Sequence, residues 1–206
     1  MIMCGRNGLL GPRHTELGGP QFARMFRSDR TVIGYHGTTV SRAERIAETG
    51  AFIPSRNDYD WLGHGIYFWE YAPGRAWHWA RQKYGAEAAV LSAAVYLGFC
   101  LDLTDIRFTT ALKTAYDGLR EAYLQSGRRL PGNKGKARYL DCLVINYVAQ
   151  YVLPGCDTVR APFLEGQPIY EGAAFLSESH IQLVVRNPSC MLGQPQIVTP
   201  EVTDAH

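Results

Sequence analysis

Apolar and polar positions alternate along Thr31-Val32-Ile33-Gly34-Tyr35-His36, which predicts a short strand. Ala43, Ile46 and Ala47 then recur at helical spacing. Thr39 or Ser41 can cap that helix, and Gly50 is placed to end it. The stretch 54–64, Pro-Ser-Arg-Asn-Asp-Tyr-Asp-Trp-Leu-Gly-His, is dense in turn formers and predicts a loop. Gly65 to Trp69 predicts a strand, and Pro73 opens a helix that runs to about Tyr84. Ala89 to Val95, extending to about Leu103, is apolar and β-prone, as in a central strand. Two further helices are expected over 105–126 and 138–152, the second carrying Leu140, Leu143, Val144, Tyr147, Val148 and Tyr151 at helical spacing. Short strands are expected at Thr158–Ala161 and His180–Val185, separated by a loop that includes 162–174. Strands and helices mix without a strict βαβ alternation, so the class is α+β, a sheet core with flanking helices. Residues 1–30 show no period and read as an arm, 31–193 as the folded domain, and 194–206 as a polar tail.

Composition narrows this picture without changing it. The chain has 206 residues, 46% of them apolar and 19% charged, enough for a real core in one domain. A net charge of +2 is too small to imply nucleic acid, and the basic stretches Arg24–Arg30 and Arg128–Arg138 read as solvated loops. The five cysteines form no C-x-x-C pair, which argues against a disulfide framework or a zinc site and suits a reducing, cytoplasmic setting. No apolar run approaches the ~18 residues of a spanning helix, so no membrane association is expected. There is no secretory signal pattern at the N-terminus, although a dedicated secretion machine needs none.

Three segments carry candidate chemistry: Tyr35-His36-Gly37-Thr38 at a strand end, Gly63-His64-Gly65-Ile66-Tyr67-Phe68-Trp69, and Ser177-Glu178-Ser179-His180-Ile181-Gln182. Taken singly, each reads as packing: a strand His, an aromatic cluster, a solvated Glu. Together they place a polar ring, a phenol and a carboxylate at strand ends beside glycines that allow close approach to the backbone. No cluster has metal-ligand spacing.

The ordered set resembles the H-Y-E signature of the diphtheria-toxin/PARP branch of ADP-ribosyltransferases, in a bacterial-type form. The resemblance covers about 36 to 185. It implies a split β-sheet core and NAD⁺ as substrate, with no metal. It also implies that His36 binds the adenosine ribose assisted by Thr38, that Gly37 presents its main chain to the carboxamide, and that Tyr67, beside Gly65, stacks on nicotinamide. Glu178 would then polarise the nicotinamide ribose, with Gln182 as its rival for that position. Where the family has a small Ser and a second stacking Tyr, this chain has Arg75 and His78. Arg75 is expected to meet an NAD⁺ phosphate or to pair with Glu70. Trp61 and Asp60 are expected at the cleft entrance, with packing as the alternative for Trp61. The loop bearing Phe163, Glu165, Tyr170 and Glu171 is the stretch that contacts the acceptor in the family.

The implied activity is mono-ADP-ribosyl transfer to a macromolecule, protein or nucleic acid, by a toxin or effector that a partner protein could neutralise. NAD⁺ glycohydrolase activity, a relative acting on another substrate as RNA 2′-phosphotransferases do, and a non-catalytic NAD-binding module are the alternatives.

Overall fold

The computed structural model describes residues 26–200. The elements are β1 (Arg27–Thr39), α1 (Val40–Thr49), β2 (Ile66–Glu70), α2 (Pro73–Tyr84), β3 (Ala88–Asp102), α3 (Ile106–Gln125), α4 (Tyr139–Tyr147), β4 (Thr158–Phe163), β5 (His180–Val185) and β6 (Met191–Val198). The class is mixed α+β around a sheet core, as the pattern predicts.

Several boundaries follow from local chemistry. Gly50 ends α1 in the left-handed conformation, its N–H donating to Ile46 O. Thr39 occupies the N-cap position of α1 but makes no side-chain cap bond. Pro73 opens α2, where its missing N–H costs nothing. The helix expected over 138–152 is regular only to Tyr147. It then widens over Val148–Val152, where Leu153 N donates to Val148 O.

Two ends differ from expectation. β1 begins at Arg27, inside the expected arm, and Phe26 is buried against Phe108. The rest of that arm, 1–25, lies outside the described residues, as do 201–206 of the expected tail. β6 runs through the start of that tail and pairs antiparallel with β3. Pro195 fits there because β6 has a partner on one side only, where a missing donor is tolerated.

The sheet order is β1-β2-β5-β4-β3-β6, with a further β1–β3 pairing that closes the first five strands on themselves. All pairings are antiparallel except β3–β4. One sheet face packs Val32, Phe68, Leu91 and Leu183 against Ala43, Ile46 and Phe52. On the other face, α2 covers Trp69 and Val90 through Ala76 and Ala80. Further across that face, α3, α4 and the widened turn after α4 cover Val159 and Val184 through Ala115, Ile145 and Val148. Along β2 and β5 a strip carries Tyr67, Trp69, Gln182 and His180, all on one face by strand alternation and register, with Trp69 and His180 buried.

Candidate functional site

β1 and β2 pair only at Gly34/Glu70 and Tyr35/Trp69 and then part. His36 stands at that gap. Its Nδ1 lies 2.8 Å from Tyr67 O, a carbonyl that can only accept, so Nδ1 carries the proton and Nε2 is left as an acceptor. Burial lowers the His36 pKa below its ordinary 6.5, outweighing the opposite pull of that hydrogen bond. The ring is therefore neutral at pH 7. It packs against Phe52 and Phe68, so it lies on the sheet face opposite the Tyr67 ring. His36 and Tyr67 meet through the Tyr67 carbonyl rather than ring to ring.

Tyr67 is fixed by its hydroxyl, which donates to Gly63 O at 2.7 Å and accepts from Leu62 N at 2.9 Å. Burial raises its pKa, so the phenol stays protonated. The glycines that were expected to admit a ligand instead admit other parts of the chain. A Cβ on Gly37 would lie 3.0 Å from Trp79 Cε3 and 3.1 Å from Ala76 O, so the α2 helix closes over it. Gly65 has φ 154, and a Cβ there would press on Val184 and lie 2.6 Å from Val185 O. Thr38 is buried at the end of β1, opposite Ala89.

At the other end of the strip, Arg75 bridges two carboxylates. Its Nη2 lies 2.9 Å from Glu165 Oε2 and 3.1 Å from Glu178 Oε2. His78 Nδ1 lies 3.5 Å from the second oxygen of Glu178. Gln82 Nε2 sits 3.1 Å from His78 Nε2, and an amide nitrogen can only donate, so His78 carries its proton on Nδ1, toward Glu178. Thus Arg75, His78 and Glu178, named separately from sequence, come together. The expected Arg75–Glu70 pair does not form, because Glu70 is taken by Arg160, at 2.7 and 2.8 Å.

Glu178 does not stand beside the Tyr67 ring. Tyr67 faces Val184 across β2–β5, and Glu178 lies six residues upstream, up to roughly 20 Å of extended chain. Gln182 and His180 fill the interval. Gln182 lies directly across from Trp69, the diagonal neighbour of Tyr67. His180 Nδ1 donates to Glu178 O at 2.7 Å, which leaves Nε2 as an acceptor. Its ring stacks on Phe163 at 5.8 Å, and its side chain is 1% exposed. Burial lowers the His180 pKa and Arg75 adds to this, against the Glu178 carbonyl, so His180 too is neutral at pH 7.

His180 and Trp69 lie within the candidate segments but were given no role from sequence, since a strand His and a strand Trp carry no signal of their own. Their surroundings supply it. Six buried side-chain N or O atoms among the described residues have no hydrogen-bond partner, and five cluster here: Trp69 Nε1, Arg75 Nε and Nη1, His180 Nε2 and Gln182 Oε1. Such atoms cost about 1–3 kcal/mol each unless water or a ligand satisfies them.

Of the remaining loop residues, Phe163 ends β4 and also contacts Trp61, at 4.9 Å. Trp61 Nε1 donates to Lys136 O, and Arg138 lies over its ring, so Trp61 is a packing residue that ties down the basic loop. Asp60 accepts from Asn57 within its own turn. Tyr170 and Glu171 are exposed. Among the described residues, no group of three or more His, Cys, Asp or Glu is placed to hold a metal ion. No described helix is long and apolar enough to cross a membrane. Cys100, Cys142, Cys156 and Cys190 are free and buried, whereas Cys4 lies outside the described residues.

No protein-family model matches the chain. An uncharacterized protein of Methanocaldococcus jannaschii is 44% identical over 50 residues, which is 24% of this chain and 23% of that protein. The likeness therefore covers less than a quarter of either chain and assigns no activity.

Proposed function

We propose that the chain is an ADP-ribosyltransferase of the H-Y-E type. It binds NAD⁺ along the β2–β5 strip and moves ADP-ribose from nicotinamide to a macromolecular acceptor. The observation that carries this reading is the cluster of five partnerless buried polar atoms between Tyr67 and Glu178. In this reading those atoms take their partners from a polar ligand. The resemblance of Tyr35-His36-Gly37-Thr38 and Gly65-Ile66-Tyr67-Phe68 supplies the identity of that ligand.

In this reading the nicotinamide ring lies on Tyr67, whose anchored hydroxyl holds the phenol at one angle. Stacking of a pyridinium on a phenol contributes ~0.5–2 kcal/mol. The bond from ribose to nicotinamide breaks with positive charge growing on the ribose; Gln182, the diagonal neighbour of Tyr67, holds that ribose, and the Glu178 carboxylate beyond it favours the charge. Arg75 and His78 hold Glu178 in place from α2. His36 Nε2, at the gap between β1 and β2, accepts from a hydroxyl of the adenosine ribose. The loop from Leu164 to Ser179 meets the acceptor, and its exposed Leu164, Ile169, Tyr170 and Phe175 suit an apolar contact.

Incubation with NAD⁺ labelled in the adenosine part and a cell lysate tests the reading. Label on a macromolecule supports it, and protease or nuclease treatment names the acceptor class. Nicotinamide release without labelled product would make the protein an NAD⁺ glycohydrolase. Glu178→Gln is expected to keep NAD⁺ binding and lose most transfer. Equal turnover in that variant would move the role to Gln182.

A further inference from the structure

A cavity of about 590 Å³ opens between α3, α4 and the end of β4, the size of a small-molecule pocket. Its lining is mostly apolar, with Leu112, Leu140 and Val144 from the helices and Trp61, Ala161 and Phe163 from the 54–64 loop and β4. Two opposite charges also line it, and each has a partner: Lys113 pairs with Asp117, and Asp141 accepts from Asn133. Phe163 is a wall shared with the β2–β5 strip. It pairs with His180 across β4–β5 and stacks on that ring, and its ring also contacts Trp61 at 4.9 Å. The cavity therefore adjoins the strip at the end where His180 leads back to Glu178.

Beside this hollow lies the basic loop. Lys134, Lys136 and Arg138 fall within five residues, and 126–140 holds no acidic residue. Among the described residues, none of the three cations has a carboxylate at ion-pair distance. Asp60, next to Trp61, is taken by Asn57 within its own turn. The loop was expected to be merely solvated, yet it is anchored. Lys134 and Ala137 exchange both backbone hydrogen bonds. Trp61 Nε1 donates to Lys136 O at 2.7 Å, and Arg138 N donates to Tyr59 O at 3.1 Å. Lys134 and Lys136 are exposed, and the Arg138 guanidinium lies over the Trp61 ring, 5.2 Å from its centre. A net charge of +2 conceals this arrangement, because phosphate binding depends on local charge.

We propose that this cavity and the 134–138 loop hold a single-stranded nucleic acid, with one unstacked base in the hollow and its phosphates on Lys134, Lys136 and Arg138. Aromatic walls beside fixed cations suit a chain that carries a flat ring with every phosphate. A duplex keeps its bases stacked inside and cannot fill the hollow. An acidic protein segment meets the cations but supplies no regular flat group. Resting on the NAD⁺ reading, the strand is the acceptor. A nucleophilic N or O of the strand bonds to the ribose carbon as nicotinamide leaves with the electron pair of the broken bond. The proton of the nucleophile passes to water.

The test is fluorescence anisotropy titration of the full chain against a labelled single strand of about 12 nucleotides, as RNA and as DNA, and against the same sequence as a duplex. The better single strand is expected to bind at least tenfold tighter than the duplex. It should lose at least tenfold in affinity between about 50 and 200 mM salt, as about three phosphate contacts require. Lys134→Gln combined with Lys136→Gln changes two exposed side chains. It is expected to weaken the strand at least tenfold, flatten the salt dependence, and leave NAD⁺ affinity and melting temperature unchanged. Leu140→Trp, which fills the hollow, should weaken the strand without flattening the salt dependence, and the lysine variant stands in if it does not fold. Incubation with NAD⁺ labelled in the adenosine part should then place label on the strand. Absence of strand binding, equal affinity for the duplex, or undiminished affinity in a folded variant overturns the proposal. So does lysate label that protease removes and nuclease does not, a result that leaves the transferase reading standing. Strand binding by a chain that fails to bind NAD⁺ upholds the site and defeats the transferase reading.

Discussion

Two arginines in this molecule each lie between two carboxylates, and they are finished differently. Arg160, on β4, is buried and donates to Glu70 through Nε and Nη2 and to Asp102 through Nη1, at 2.7–2.8 Å. Arg75, on α2, reaches Glu165 and Glu178 through Nη2 alone and leaves Nε and Nη1 buried without partners. The first cluster is complete within the chain, as a structural ion group must be to offset its desolvation. The second is incomplete, and its missing partners lie next to further unsatisfied atoms of Trp69, His180 and Gln182. An arginine between two carboxylates is thus fully paired in one place and left partly unpaired in the other. The distinction lies in satisfaction, not in composition.

The largest effect expected from this contrast is on stability. Arg160→Met should cost about 3–5 kcal/mol in urea unfolding, because Glu70 is left buried without a counter-charge and Asp102 keeps only the exposed Arg30. Arg75→Met should cost about 1 kcal/mol or less, because its carboxylates keep contact with water and two orphan donors disappear with the guanidinium. The same variant should weaken NAD⁺ binding at least tenfold. A stability loss at Arg75 equal to that at Arg160 would erase the contrast.

A smaller effect separates the two regions by pH. His36 and His180 have pKa values lowered by burial, so the unfolded chain takes up their protons first. Their contribution is complete above the unfolded value of about 6.5 and is lost as pH falls through the folded values. Asp102 behaves likewise in a more acidic window. Burial alone would raise its carboxyl, but hydrogen bonds from Thr104 and Arg160 outweigh this and hold it below 3.8. Its contribution is present above about pH 4 and is lost below it. Melting curves from pH 7.5 to 2.5 should show both losses, and His180→Gln should flatten only the first. A profile with no slope between pH 7 and 5 would contradict neutral, buried histidines.

Most elements that frame the site were legible in the chain. Pro73 and Tyr84 bound α2 as read, and β2 and β5 lie within a residue of the expected strands. These are places where local chemistry and burial agree. β6 was hidden because Gln194 and Pro195 open what reads as a polar tail, and only pairing with β3 makes this stretch a strand. Arg160 was hidden because its strand, Thr-Val-Arg-Ala-Pro-Phe, reads as one exposed charge, while its partners lie 58 and 90 residues away in the chain. The partners of Arg75 were missed for the same reason, since the nearby Glu70 was the visible candidate and Glu165 is 90 residues off. His180 and Trp69 gain meaning only from atoms left without hydrogen bonds, a property that no pattern of residue types expresses.

The central claim, that the β2–β5 strip holds NAD⁺, is tested most directly by titrating NAD⁺ into the full chain and into Tyr67→Ala. The account predicts one site per chain, with affinity at least tenfold weaker once the phenol is removed. No binding by the wild type at millimolar NAD⁺, or equal affinity in the two proteins, would contradict it.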